Sequence, residues 1–252
     1  MNPDDFDQQM RVFETVHDVC VLPGVYMVAR IDGRNFSRLT KDICNFAVPY
    51  DENFRDIIVA TVKHLMDCGF TVVYGYTESD EISLLFDINE TAFSRKHRKY
   101  NSVLAGEASA KFTSLLGKHA VFDCRLSELP NKELVVDYFR WRAADAHRNA
   151  LNAHCFWRLR EEGLSPQMAA QKLDGMSTAE KNELLFGYGV NFNDLPIWQK
   201  RGIGLYWEQI PKEGFNPKTG ATTMTQRRQI YVDMELPMKD EYAAFLLTLL
   251  GD

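Results

Sequence analysis

The sequence predicts an α+β protein in which helices lie on one face of an antiparallel sheet and the elements follow the order βαββαβ. One observation is a short apolar run, Val25–Ile31, which is typical of a buried strand. A second is a helical pattern that begins at a capping residue, Asp51, and continues to about Asp67. A third is a pair of apolar runs, Phe70–Tyr76 and Ile82–Phe86, which predict a β-hairpin with an acidic tip.

The remaining elements of this order follow along the chain. Phe93–Leu116 predicts a long helix whose small residues allow it to lie close to the sheet. Val121–Cys124 and Glu133–Val136 are the further predicted strands. The resulting arrangement is ferredoxin-like and palm-like, as in polymerase palms and nucleotidyl cyclases. Many proteins without catalytic activity share it, so the fold alone assigns no function.

The second half of the chain has a different pattern. A long helix is predicted from Asp137 to about Glu161, and a closing helix at Glu241–Leu250. Between them we expect two shorter capped helices, Ser165–Lys172 and Ser177–Phe186, and a hairpin whose strands and mobile connecting loop are Ile203–Gln209, Gln229–Met234 and Pro211–Thr225. We therefore expect a palm-like catalytic domain over residues 1–136. A helical and hairpin region over residues 137–252 would pack on it.

Composition narrows the class of protein. A net charge of −6 over 252 residues argues against binding nucleic acid by bulk charge, but it allows a local basic patch. Because no apolar run is long enough for a membrane span and Met1–Val12 is polar, we expect a cytoplasmic protein without a membrane partner. The five cysteines form no C-x-x-C pair, which favours free thiols.

Two acidic motifs indicate the chemistry. Asp32 follows the first strand, and Asp80 and Glu81 lie at the tip of the predicted hairpin. Carboxylates meeting at one edge of a sheet suit Mg²⁺, which takes oxygen ligands, and the Gly33 carbonyl could be another. Two such ions serve phosphoryl transfer, so the layout points to a nucleotidyltransferase with Asp32, Asp80 and Glu81 as catalytic residues. The alternative is an ordinary Asp-Gly turn and an exposed hairpin tip.

Other polar and aromatic residues have two interpretations each. The basic run Arg95, Lys96, Arg98 and Lys99 suits a triphosphate or an RNA 5′ end, or else is a solvated helix face. Residues spaced by three and four on the long helix form a polar stripe, for which we favour the outward side of an amphipathic helix: Arg142, Asp145, Asn149 and Asn152. The tryptophans could stack on bases, but packing is the better interpretation.

In combination these residues resemble a known family, the tRNA(His) guanylyltransferases and their bacterial and archaeal relatives, which are 3′-to-5′ RNA polymerases. The resemblance spans about Val25 to Trp207. The motifs that carry it are, in chain order, Arg30-Ile31-Asp32-Gly33-Arg34-Asn35-Phe36, Ser79-Asp80-Glu81, Arg95-Lys96 with Lys99, Arg142-x-x-Asp145-x-His147-x-Asn149, Lys181-Asn182-Glu183-Leu184-Leu185-Phe186 and Asn191-Phe192-Asn193.

The resemblance implies a role for each matching residue. Asp32, the Gly33 carbonyl and Asp80 would hold two Mg²⁺ ions, with Glu81 beside them. The residues that would bind nucleotide, triphosphate or RNA are Gly33, Arg34, Asn35, Phe36, Ser79, Arg95, Lys96, Lys99, Asp145, Asn149 and Lys181. It also implies GTP and ATP as substrates, tRNA as the acceptor of the nucleotide, and a homotetramer built as a dimer of dimers.

Two departures from the pattern indicate a branch of the family. Val48 follows Asn45-Phe46-Ala47, where eukaryotic members commonly have lysine, and His147–Ala153 departs from the eukaryotic His-Ile-Asn-Asn-Leu-Tyr-Asn signature. Both favour the branch that repairs 5′-truncated tRNAs by templated addition over strict tRNA(His) selection. Two alternatives stay open: a nucleotidyl cyclase that acts on GTP or ATP without RNA, and a non-catalytic nucleotide- or RNA-binding module.

Overall fold

The computed structural model describes residues 2–215 and 222–251. The strands are β1 (Tyr26–Gly33), β2 (Val72–Glu78), β3 (Glu81–Phe86), β4 (Phe122–Leu129), β5 (Ile203–Phe215) and β6 (Thr222–Asp233). The α-helices are α1 (Pro3–Thr15), α2 (Phe36–Arg38), α3 (Glu52–Met66), α4 (His97–Leu116), α5 (Lys132–Glu161), α6 (Pro166–Leu173), α7 (Thr178–Gly187), α8 (Ile197–Arg201) and α9 (Lys239–Leu250).

The six strands form one antiparallel sheet in the order β4-β1-β3-β2-β5-β6. Its first four strands have the order of the ferredoxin-like βαββαβ unit, so the predicted palm-like fold is confirmed. The cap at Asp51 is also present, because its side chain accepts a hydrogen bond from the Phe54 amide. Similar caps at Ser165 and Ser177 begin α6 and α7.

Helices cover both faces of this sheet. Met27, Ala29 and Ile31 of β1 face the core beneath α3 and α4, whereas Val28 faces a second core beneath α5 and α9. This alternation follows from the period of two in a strand. The palm's own helices therefore share one face, as predicted, and the C-terminal half covers the other. Among the described residues, none of the helices is long and apolar enough to cross a membrane.

Two predicted elements are corrected near the middle of the chain. Glu133–Val136, predicted as a strand, lies in the first turns of α5, because the Asn131 side chain caps the helix by accepting from the Leu134 amide. The predicted boundary at residues 136 and 137 consequently falls inside this helix. The helix predicted from Phe93 begins at His97, because Phe93, Ser94 and Arg95 have positive φ angles.

The second hairpin is longer than predicted. β5 and β6 pair continuously from Gly204–Asp233 to Phe215–Thr222, although Pro211–Thr225 was predicted as a mobile loop. Ladder hydrogen bonds fix both flanks of that segment, and its middle, residues 216–221, lies outside the described residues. β5 also pairs with β2, so the two halves of the chain share one sheet.

Candidate active site

The two acidic motifs meet where β1 ends. Asp32 lies directly opposite Glu81 in the β1–β3 register, and Ser79 and Asp80 form the tight tip between β2 and β3. The Gly33 amide donates a hydrogen bond to the Asp80 carbonyl at 3.2 Å. The hairpin tip is therefore fastened to the strand end, which brings Asp80 to the residue that follows Asp32.

Glycine at position 33 makes this close approach possible. A Cβ atom there would lie 2.7 Å from Asp80 Oδ2 and 2.4 Å from Phe36 Cδ2. Phe36 cannot move away easily, because its ring packs between Phe112 and Phe122 with centroid distances of 5.2 and 4.8 Å. The motif thus uses glycine to admit a carboxylate and a buried ring to fix the turn.

Electrostatics at the tip favour a cation. Burial, together with the nearby charge of Asp32, raises the pKa of Asp80 to about 6, and the Ser79 hydroxyl donates to its carboxylate at 3.2 Å. Among the described residues there is no cluster of three or more His, Cys, Asp or Glu side chains arranged to hold a metal. Two carboxylates and a backbone carbonyl still suit Mg²⁺, since that ion usually keeps water and substrate phosphate oxygens as its other ligands.

Glu81 differs from the other two carboxylates because an arginine side chain pairs with it. Arg142 of α5 donates from Nε to Glu81 Oε1 at 2.6 Å and from Nη2 to Oε2 at 2.8 Å. The same guanidinium contacts Glu78 at 3.2 Å and Asp145 at 3.0 Å. Arg142 is 4% exposed, so the favoured interpretation of an outward helix face is wrong for this residue.

Glu78 is a site residue that the sequence analysis missed. Burial, together with the charge of Glu81, raises its pKa to about 8. Its sequence signal is weak: a single carboxylate at the end of an otherwise apolar strand, next to the more conspicuous Ser79-Asp80-Glu81 motif. Glu78, Glu81 and Asp145 surround Arg142, and this cluster joins the hairpin tip to α5.

A cavity of about 420 Å³ opens beside the carboxylates. Its volume is within the range of small-ligand sites. Its lining includes the predicted residues Asp32, Ser79, Asp80, Asp145 and Asn149. Aromatic and apolar side chains also line it, together with Lys41 and Arg55, and they include Phe46, Val48, Tyr50, Phe54, Trp157 and Trp198. Trp157 and Trp198 thus line the cavity in addition to packing.

Arg95, Lys96 and Lys99 lie elsewhere. The Arg95 side chain is buried, and its guanidinium donates to the backbone carbonyls of Val21, Val25, Ile88 and Glu90. This corrects the prediction of a triphosphate contact for Arg95. Val25 precedes β1 and Asp32 lies near its end, about 23 Å away at the rise of a strand. Lys96 pairs with Asp18 at 2.9 Å.

Arg34, Asn35 and Lys181 also lie outside this cavity. Arg34 and Asn35 are exposed in the turn after β1, and the Arg34 amide donates to the Val121 carbonyl at 2.8 Å. Lys181 donates to Asn152 Oδ1 at 3.0 Å and lines a separate open pocket between α5, α6 and α7. The structure therefore brings together the two acidic motifs and Arg142, Asp145 and Asn149 of α5, whereas Asn152 and Lys181 lie together in the separate pocket.

Comparison with known proteins agrees with these motifs. Residues 7–130 match the family model described as tRNAHis guanylyltransferase, and residues 133–240 match the Thg1 C terminal domain. The tRNA(His) guanylyltransferase of Saccharomyces cerevisiae is 34% identical over 77% of this chain and 86% of its own length. A probable tRNA(His) guanylyltransferase of Mus musculus is 33% identical over 81% of this chain and 71% of its own.

Solved structures show the same relationship. The crystal structure of the yeast enzyme superposes with a TM-score of 0.71 at 30% identity, covering 77% of this chain and 91% of that one. A bacterial Thg1-like protein in complex with ATP superposes with a TM-score of 0.77 at 26% identity, covering 98% and 99%. Its complex with GTP gives a TM-score of 0.74. The chain belongs to the tRNA(His) guanylyltransferase family and is a nucleotidyltransferase.

Proposed function

We propose that this chain adds nucleotides to the 5′ end of tRNA in the 3′-to-5′ direction, with two Mg²⁺ ions held by Asp32, Asp80 and the Gly33 carbonyl. The observation that carries the proposal is the meeting of Asp32 and Asp80 in the wall of a cavity large enough for a nucleotide. Related proteins of this fold bind GTP and ATP, which supports nucleoside triphosphates as the substrates here.

In this proposal the cavity orients the nucleotide. Its aromatic side chains Tyr50 and Trp198 contact the flat face of the base, and Ser79, Asp145 and Asn149 hold polar groups of sugar and phosphate. When bound, the divalent ions neutralise phosphate charge and lower the pKa of the attacking hydroxyl. Arg142 keeps Glu78 and Glu81 in place beneath the tip, so the chain contributes mainly positioning and charge.

The reaction itself is a phosphoryl substitution. The 3′-hydroxyl oxygen of the incoming nucleotide forms a bond to the α-phosphorus of a 5′-triphosphorylated RNA. The bond from that phosphorus to pyrophosphate breaks, and the hydroxyl proton passes to solvent. With Val48 at the cavity wall, we propose preference for such activated ends and for 5′-truncated tRNAs. Lys96 and Lys99, remote from the carboxylates, are proposed RNA contacts across the subunits of a homotetramer in the cytoplasm.

Isosteric substitutions test the assignment. Asp32→Asn and Asp80→Asn should each lower Mg²⁺-dependent incorporation of labelled GTP into a 5′-triphosphorylated, truncated tRNA by at least about 100-fold. Asp137→Asn is the matched control, because Asp137 is an exposed carboxylate on α5 that pairs only loosely with Arg140 at 3.8 Å. Wild-type rates in either site variant would refute the proposal.

The cyclase alternative makes a different product. Incubation of the protein with GTP or ATP and Mg²⁺, without RNA, would then release a cyclic nucleotide that chromatography resolves. We expect no cyclic product, and we expect incorporation only when tRNA is added. Tight GTP binding without turnover on any tRNA would favour a non-catalytic module instead.

A further inference from the structure

A second group of side chains lies beside the carboxylates, on the face of the sheet that α5 only partly covers. Trp141 of α5 is 50% exposed although it is one of the largest apolar side chains on the surface. The Arg142 guanidinium lies 4.6 Å from its ring centre and the Arg30 guanidinium 6.0 Å. An exposed ring with arginines around it is the composition of a surface on which nucleobases stack.

Two arginines extend this surface onto the sheet. Arg30 of β1 and Arg125 of β4 are directly opposite each other in the antiparallel register, so their side chains leave the same face. Like charges in such a pair are destabilising unless an anion lies between them. α5 does not cover β4 here, and the Arg125 side chain remains 53% exposed.

The neighbouring carboxylates pair only partly with Arg30 and Arg125. Arg30 Nε is buried and makes no hydrogen bond within the described residues, and its nearest carboxylate oxygen, on Glu81, is 3.8 Å away. Glu81 is already bonded twice to Arg142. Arg125 lies 3.8 Å from Asp32 and 3.2 Å from Asp123, and the first of these distances is too long for a hydrogen bond.

The position of the group relates it to the proposed reaction. Arg30 precedes Asp32 by two residues on β1, which is about 7 Å along a strand. A phosphate held by the arginines would therefore lie next to the carboxylates. Because the chain as a whole carries a charge of −6, this local positive surface is not a consequence of bulk composition.

We propose that Trp141, Arg30 and Arg125 form the subsite for the 5′-terminal nucleotide of the RNA, a proposal that rests on the proposed function. Trp141 stacks on the terminal base, and the two arginines bind the adjoining backbone phosphate. The subsite adjoins the cavity that would take the incoming nucleotide but is separate from it, because none of the three residues lines that cavity. The subsite therefore positions the acceptor end and leaves nucleotide binding unchanged.

Equilibrium binding without nucleoside triphosphate tests the subsite directly. The probes are a 5′-triphosphorylated tRNA and the same tRNA with an abasic first nucleotide. Trp141→Ala should weaken binding of the intact tRNA roughly 5- to 100-fold, and Trp141→Phe should restore most of the loss. The abasic tRNA should bind wild type about as weakly, and combining both changes should cause no further loss.

The contribution of Arg125 is measured separately. Arg125→Gln should weaken the binding of both tRNAs and reduce the slope of log affinity against log salt by about one. Matched controls are Leu134→Ala, an exposed apolar residue two turns away on α5, and Arg11→Gln, an exposed arginine on α1. Neither control should change tRNA affinity, and GTP affinity should be the same in all variants.

The outcomes separate this subsite from the proposed function. Fully additive effects of Trp141→Ala and the abasic nucleotide, or wild-type tRNA affinity in Trp141→Ala, would overturn the subsite while GTP incorporation by wild type upholds the function. If the losses caused by Trp141→Ala and by the abasic nucleotide are not additive but wild type never extends a tRNA, the subsite is supported and the proposed function is refuted.

Discussion

Arg142 and Glu81 form a two-bonded ion pair that joins α5 to the catalytic hairpin, with N–O distances of 2.6 and 2.8 Å. The pair is largely buried, since the two side chains are 5% and 13% exposed. The same arginine also contacts Glu78, so this one cation of α5 faces two glutamates of the hairpin. The geometry of the hairpin tip therefore depends on one side chain from the other half of the chain.

Removal of this arginine should therefore damage both stability and activity. Arg142→Met leaves two buried carboxylates unpaired, which we expect to lower the free energy of unfolding by about 3–5 kcal/mol in urea titrations. Arg142→Lys keeps the charge but loses the paired geometry, so kcat should fall while much of the stability remains. Arg148→Ala is the control, because exposed Arg148 bonds the same Asp145; a similar loss there would contradict the account.

Gly33→Ala should abolish nucleotide transfer, because its Cβ would meet Asp80 and the packed Phe36 ring at less than 3.0 Å. We expect a cost of about 1–3 kcal/mol in stability, together with loss of incorporation. Gly106→Ala is the matched control: Gly106 lies in α4, and a Cβ there meets nothing within 4 Å. That variant should be as active as wild type and slightly more stable.

Arg95 should prove to be a structural residue. Its guanidinium donates to four backbone carbonyls, so Arg95→Leu leaves those acceptors unsatisfied in the interior. We expect the melting temperature to fall by several degrees, with a loss of about 3 kcal/mol or more. If the folded fraction of Arg95→Leu has the same KM for GTP as wild type, the residue does not bind nucleotide. A raised KM without destabilisation would contradict this.

His154 should make stability depend on pH. Burial lowers the pKa of this imidazole in the folded protein, where Nε2 lies 3.0 Å from Gln199 Oε1 and the ring packs beside Tyr50. Because the folded pKa is below the unfolded value of 6.5, the contribution of His154 is complete above pH 6.5 and is lost as pH falls through the folded pKa. Denaturant titrations from pH 8 to 5 should show a smaller loss in His154→Gln than in wild type.

The parts of this protein that were predictable are those encoded by local patterns. Apolar periodicity and the cap at Asp51 predicted α3, and two apolar runs around Ser79-Asp80 predicted the hairpin. The meeting of Asp32 with Asp80 followed from the topology, since β1 and β3 pair directly in a ferredoxin-like sheet.

What could not be predicted depends on tertiary contacts. A short segment such as Glu133–Val136, with three apolar residues after a glutamate, suits a strand or a buried helix turn, and the deciding signal is the cap at Asn131. Arg142 has the sequence spacing of a solvated stripe, and only its glutamate partners from β2 and β3 show that it is buried. The long β5–β6 hairpin is likewise fixed by pairing between strands rather than by composition.

The central claim, that Asp32 and Asp80 share the divalent ions, is tested most directly by paramagnetic resonance titration of Mn²⁺ in the presence of GTP. We predict that Asp32→Asn and Asp80→Asn each weaken Mn²⁺ binding strongly, that the double variant is hardly weaker than either, and that Asp137→Asn matches wild type. Independent, additive losses, or wild-type Mn²⁺ binding in either single variant, would contradict a shared site.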